Sequence, residues 1–146
     1  MIDYMPPAEL AERFERFGLD ADARVVAQTR QEFTLWLQRF FALDPVRCSD
    51  LVLATNEALA NSAEFAYRLA EEPGTIDFLA TYHPDERKMI VDICDQGTWR
   101  TRQTNSTPLH RGRGIPLMEA LADRATIETS ADGTLVRLEW NSVNRI

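Results

Sequence analysis

Glu57 and Asn61 lie four residues apart in TNEALANSAEFAYR, Thr55 to Arg68. Ala58, Leu59, Ala60 and Ala63 are good helix formers and no Gly or Pro interrupts, so the stretch reads as helix. At that spacing the carboxylate and the amide share one helical face, one turn apart. The two groups can divide labour. An amide oxygen is a hard ligand that suits Mg2+, a cation that keeps several waters and takes few protein ligands. A carboxylate one turn away can take a proton from an attacking hydroxyl or water. The same pair on a solvated face would do no chemistry, and the E-x-x-x-N spacing alone does not separate these readings.

Three further segments carry chemical possibilities. In MIVDICDQGTW, Asp95 ends a β-rich apolar run and Gly97 follows in a turn. A carboxylate at the mouth of an apolar pocket accepts from an exocyclic amine, and a neighbouring Gly permits close approach of a flat base. In HRGRGIPLMEALAD, Gly112, Arg113 and Gly114 open a short helix. Glycines bring backbone amides near an anion, the helix N-terminus is partly positive, and His110, Arg111 and Arg113 add cationic character. Asp132, Gly133 and Thr134 form a strong hairpin-turn signal. Each segment also has a plain reading: a strand-ending turn, a loop that opens a helix, and a hairpin. His83, His110, Cys48 and Cys94 have no metal-ligand company in the sequence.

The elements that must position these residues follow from periodicity. Residues 1–20 fit either a helix, with Leu10, Phe14 and Phe17 at helical spacing and Gly18 as its stop, or an edge strand. A helix is expected from Ala23 to about Phe41 on the stripe Val25, Val26, Thr29, Phe33, Trp36, Leu37 and Phe40. A second helix, opened by Pro45, runs to about Ala70. TIDFLATYH and MIVDICD make a hairpin about the polar turn HPDERK. A long polar loop follows from Thr98 to Arg113, and such loops usually carry function. IPLMEALADR is a short helix, and ATIETS with LVRLEW forms a second hairpin. The expectation is one domain over residues 1–146, an α/β two-layer sandwich with helices on one face of a mixed, mostly antiparallel sheet.

Composition narrows the function. The 146 residues suffice for one domain with a real core, and 45% are apolar. A net charge of −7 disfavours a general nucleic-acid binder, which needs a basic face. No apolar run approaches a membrane span, and MIDYMPPAEL lacks the features of a secretory signal. Two cysteines make a poor disulfide framework, so a reduced, cytoplasmic setting is expected.

Taken in order, NEALAN, DQGTW, HRGRGIPLMEALAD and DGTLVRL resemble the ATP-binding domain shared by gyrase, Hsp90, histidine kinases and MutL, the Bergerat or GHKL fold. More closely, the chain resembles the serine-kinase anti-sigma factors of the RsbW and SpoIIAB type, from about Ala23 to Trp140. The resemblance implies ATP/ADP and Mg2+ as ligands. It makes Asn61 the holder of the Mg2+-triphosphate, Glu57 the base, and Asp95 with Gly97 the adenine site. Gly112, Arg113 and Gly114 would form the lid over the triphosphate, and Thr134 would lie near the adenine. Implied partners are a sigma factor and a STAS-domain anti-anti-sigma protein that accepts phosphate on Ser or Thr. A homodimer is also implied, with no direct contact to nucleic acid or membrane. One departure stands out: the family's second box ends in Gly, and here that position is Trp99. A silent nucleotide- or sigma-binding module is therefore the alternative. A sensor histidine kinase fragment is weakened by the lack of a helical hairpin carrying a phosphoacceptor His.

Overall fold

The computed structural model describes residues 11–68, 74–95, 114–130 and 133–146. In chain order the elements are β1 (Arg13–Asp20), α1 (Ala23–Phe40), β2 (Phe41–Ala42), α2 (Pro45–Arg68), β3 (Thr75–His83), β4 (Lys88–Asp95), α3 (Gly114–Leu121), β5 (Arg124–Ser130), β6 (Gly133–Trp140) and β7 (Asn144–Arg145). Five strands form one sheet in the order β1-β3-β4-β6-β5, and every pairing in it is antiparallel. The α/β two-layer architecture expected from the sequence is the observed one.

Burial alternates strictly along β3 and β4, so one face of the sheet is core and the other is open. The core row of β4 is Met89, Val91, Ile93 and Asp95; that of β6 is Thr134, Val136, Leu138 and Trp140. Helix α2 covers this face, packing on β3, β4 and β6, while α1 packs on β1 and α2, and α3 on α2 and β5.

Both long helices start on side-chain caps. Asp22 accepts from the Arg24 amide at 2.6 Å, and Asp44 accepts from the Arg47 amide at 2.8 Å. Along α1 the buried stripe is Val26, Thr29, Phe33, Trp36 and Leu37. The Thr29 hydroxyl donates to the Val25 carbonyl at 2.8 Å, which removes the cost of burying it. Along α2 the sheet-facing residues are Leu51, Ala54, Thr55, Ala58, Leu59 and Ser62.

The ambiguous N-terminal segment is an edge strand from Arg13 onward. Phe14 pairs opposite Ala80 and enters the core, whereas Phe17 is 58% exposed. Three positions apart on a strand, the two side chains leave opposite faces by plain alternation. The register shifts by one residue between Arg16 and Leu19: Gly18 takes φ +68, its amide donates to Asp77 Oδ1 at 2.8 Å, and this bulge brings Leu19 opposite Ile76 and back against the core. The helical spacing of Phe14 and Phe17 was thus fortuitous. A second addition is a small two-stranded pair of β2 with β7, in which Phe41 meets Arg145 and Ala42 meets Asn144.

Aromatic rings weld the α1 end of the sheet. Phe33 sits 5.6 Å from Phe14 and 5.1 Å from Phe78 between ring centroids, and Phe41 sits 4.8 Å from Tyr82. The Tyr82 hydroxyl donates to the Val143 carbonyl at 2.6 Å, which ties down the tail. On the open face Arg137 meets Asp92, its direct partner across the ladder, through two bonds of 2.7 and 3.0 Å. Cys94 lies on the same face, and its thiol is pushed up by burial and then by Asp95, Asp77 and Asp92.

Phe33→Ala should therefore lower stability by about 3–5 kcal/mol in urea unfolding, while Arg137→Ala should cost under about 1 kcal/mol, because the Arg137 pair is solvent-screened. For Cys94 the sign is that of an acid whose native state favours the neutral form. Its contribution is present below the thiol's unfolded pKa and is lost as pH rises through the folded one. In a Cys48→Ser background, the pH midpoint of Cys94 alkylation should lie above that of the urea-unfolded chain. Asp77→Asn should bring it partway back.

Candidate functional site

The register of three strands builds one end of the sheet. Ile76 of β3, Asp95 of β4 and Thr134 of β6 are direct partners in a row across it. All three are on the helix-covered face, Asp95 at 1% exposure and Thr134 at 1%. Directly opposed residues hold their Cβ atoms about 5 Å apart, so a carboxylate and a hydroxyl stand side by side under the helix layer. The same row continues to Thr129 of β5. Carboxylates are rarely buried this deeply unless they are paired or serve binding or chemistry.

Helix α2 is oriented toward this row. Its first turn is fixed at the far end of the sheet, where Arg47 Nη2 donates to Asp123 Oδ2 at 3.0 Å. Asp123 in turn accepts from the Asn141 amide at 2.7 Å, immediately beyond Trp140. Its last residue, Arg68, leads within a short stretch to Thr75, the neighbour of Ile76. The C-terminal half of α2, which carries Glu57 and Asn61, therefore lies toward the Asp95 end. Glu57 and Asn61 are both half-buried, on a face adjoining the fully buried Ala58 and Ser62. This is neither the open solvent face nor the core.

Gly114 is the first residue of α3, the short helix expected from the sequence. The last turn of α3 is held by the Trp140 indole, whose Nε1 donates to the Leu121 carbonyl at 3.0 Å. Gly97, Trp99, His110, Arg111, Gly112 and Arg113 lie outside the described residues. His83 ends β3 and is exposed. Among the described residues no group of three His, Cys, Asp or Glu side chains is placed to hold a metal ion. A hard cation here would draw its ligands from an amide such as Asn61, from water and from a bound anion.

Two polar residues of α2 went unread in the sequence. Thr55 and Ser62, two turns apart, both face the sheet, at 0% and 3% exposure. Among the described residues the Thr55 hydroxyl has no hydrogen-bond partner. Their i, i+7 spacing with Glu57 and Asn61 between them was a signal that α2 carries polar groups on two adjacent faces. Asn56, directly before Glu57, accepts from Arg30 of α1 at 3.3 Å.

Comparison with known proteins identifies the fold and the family. The RsbU and RsbW domains of Rv1364c from Mycobacterium tuberculosis superpose with a TM-score of 0.69 at 23% identity, over 90% of this chain and 33% of that one. The histidine kinase domain of the blue-light activated histidine kinase from Erythrobacter litoralis EL346 gives 0.54 at 12% identity, over 81% of this chain and 59% of that one. This chain thus spans about a third of the first relative's length, and at these identities the likeness is one of fold. No helix among the described residues is long and apolar enough to cross a membrane. Residues 19–140 match the family description directly, and the chain belongs to the histidine kinase-like ATPase domain family.

Proposed function

We propose that this chain is an anti-sigma regulatory serine/threonine kinase that binds Mg2+-ATP and passes the γ-phosphate to a STAS-domain partner. The observation that carries the nucleotide reading is the buried row of Asp95 beside Thr134, at the end of the sheet toward which α2 brings Glu57 and Asn61. A carboxylate there accepts from the adenine amino group, which guanine lacks at that position, and the Thr134 hydroxyl adds a second polar contact. Gly97 would let the base approach, and Gly112, Arg113 and Gly114 would close over the phosphates. Asn61 would hold Mg2+, which neutralises charge on the triphosphate when bound.

In the transfer step Glu57 accepts the proton of the partner's hydroxyl as its oxygen bonds to the γ-phosphorus and ADP leaves. Serine/threonine specificity, sigma-factor sequestration, a homodimer and a cytoplasmic setting are supported by the resemblance to RsbW-type proteins and by the likeness to the RsbU/RsbW fold. Trp99, at the position of a family glycine, favours a second reading: a module that binds nucleotide or sigma factor and transfers nothing.

Calorimetric titration with Mg2+-ATP should give saturable binding that Asp95→Asn abolishes, with GTP not bound. Absence of binding at about millimolar ATP would overturn the nucleotide reading. Glu57→Gln should leave ATP affinity within about threefold while phosphorylation of a STAS-domain partner falls by about a hundredfold or more. If the wild-type chain binds ATP yet labels no STAS partner, the silent module is the correct reading.

A further inference from the structure

Strand β1 ends the five-stranded sheet, and among the described residues no strand pairs along its outer edge. Helix α1 packs on β1, while α2 covers β3, β4 and β6. Arg30, Thr34 and Gln38 lie on the flank of α1 that meets α2, so its other flank, through Leu35 and Arg39, overhangs the outer side of β1. There a hollow of about 310 Å3 opens between the two elements. Its apolar walls are Phe14 of β1 and Leu35, Trp36 and Phe40 of α1, with Leu35 59% exposed. Its charges are three guanidiniums, of Arg13, Arg16 and Arg39, against one carboxylate, of Glu32. In a chain of net charge −7 this is a locally positive place.

We propose that this flank docks an extended, acidic segment of a partner protein, which adds a strand along β1 and turns an apolar side chain and carboxylates into the hollow. Three observations converge on that occupant. The first is the edge itself, whose outward N–H and C=O groups are satisfied by another extended backbone. The second is the charge. The hollow's one carboxylate is already matched, since Arg16 Nε donates to Glu32 at 3.0 Å, and Arg13 Nε donates to Glu15 at 3.0 Å. Both Nη groups of Arg13 and Nη2 of Arg16 have no further partner among the described residues. Arg39 lies over the Phe40 ring at 5.2 Å and has no acidic partner among them. Carboxylates from the occupant complete these forks with charge-assisted bonds. The third is size: small-ligand pockets run from about 300 to 1,000 Å3, so this hollow has room for a few side chains and not for a nucleotide. The charges along β1 repel an apolar strand and admit a complementary one, which makes the edge selective. The site needs no nucleotide, so it stands or falls apart from the ATP reading.

The test uses the full chain without ATP and a fluorescent threonine-rich peptide with glutamate, phenylalanine and glutamate at every second position. Anisotropy should show saturable binding, weakened about tenfold or more by Arg39→Glu, and recovered on that variant by a peptide carrying lysines in place of the glutamates. The thermal midpoint checks that the variant is folded. Two versions of the peptide, N-methylated on alternate sets of amides, separate strand addition from looser docking. Methylation of the set that faces β1 should abolish binding, and methylation of the other should leave it within about threefold. Four results would overturn the proposal. Two are no binding by the folded wild type at about millimolar peptide, and binding indifferent to Arg39→Glu. The third is equal binding of the two methylated peptides. The fourth is a wild-type dimer in sedimentation that Arg39→Glu dissociates, since a second copy would then hold the edge.

Discussion

The row Ile76–Asp95–Thr134 crosses the sheet on its buried face and puts a carboxylate where the pleat otherwise calls for an apolar side chain. Everything else at that end depends on this register. A slip of one residue would send Asp95 to the open face and bring Cys94 under the helices. The register is held by elements remote from the row: the alternating apolar residues of β3, β4 and β6, and the Asp92–Arg137 pair on the opposite face. Burial of Asp95 draws its free energy from that scaffold, a cost commonly met where the group serves binding or chemistry.

Helix α2 serves three neighbours at once. One face, from Leu51 to Ser62, seals the sheet. A second presents Glu57 and Asn61, half-buried, toward the Asp95 end. A third, through Asn56, Ala60 and Ala63, forms one wall of a trough with α1. Its abundance of alanine has a physical reason under this arrangement. Small side chains let α1, α3 and the sheet all approach the same cylinder, and alanine keeps the helix stable without relying on bulky packing. The two capped N-termini and the Arg47–Asp123 bond set the direction of the helix, which decides which end of the sheet its polar pair reaches.

Where the sequence left a reading open or unmade, a long-range contact decided it. Phe14 and Phe17 stand at helical spacing, yet that segment pairs with β3 as an edge strand, whose two-residue alternation sends one ring into the core and the other out. No local preference reveals a partner strand some sixty residues away. The β2–β7 pair was equally silent, since two-residue strands have no period to detect. Asn56 lacked a meaning until Arg30 of another helix was set beside it.

The sequence by itself determined the two long helices, the short helix, both hairpins, the two-layer class and the identity of Glu57, Asn61, Asp95 and Thr134 as candidates. Those features are local: a 3.6-residue period, a two-residue period, caps and turn residues leave their mark within a few positions. Only the tertiary structure decided that Asp95 and Thr134 are neighbours, that Asp95 is buried, and that α1 and α2 part to leave a trough around Arg30. Adjacency and burial are properties of pairs of elements. They arise from strand register and helix packing, which many distant residues set together and no single stretch encodes.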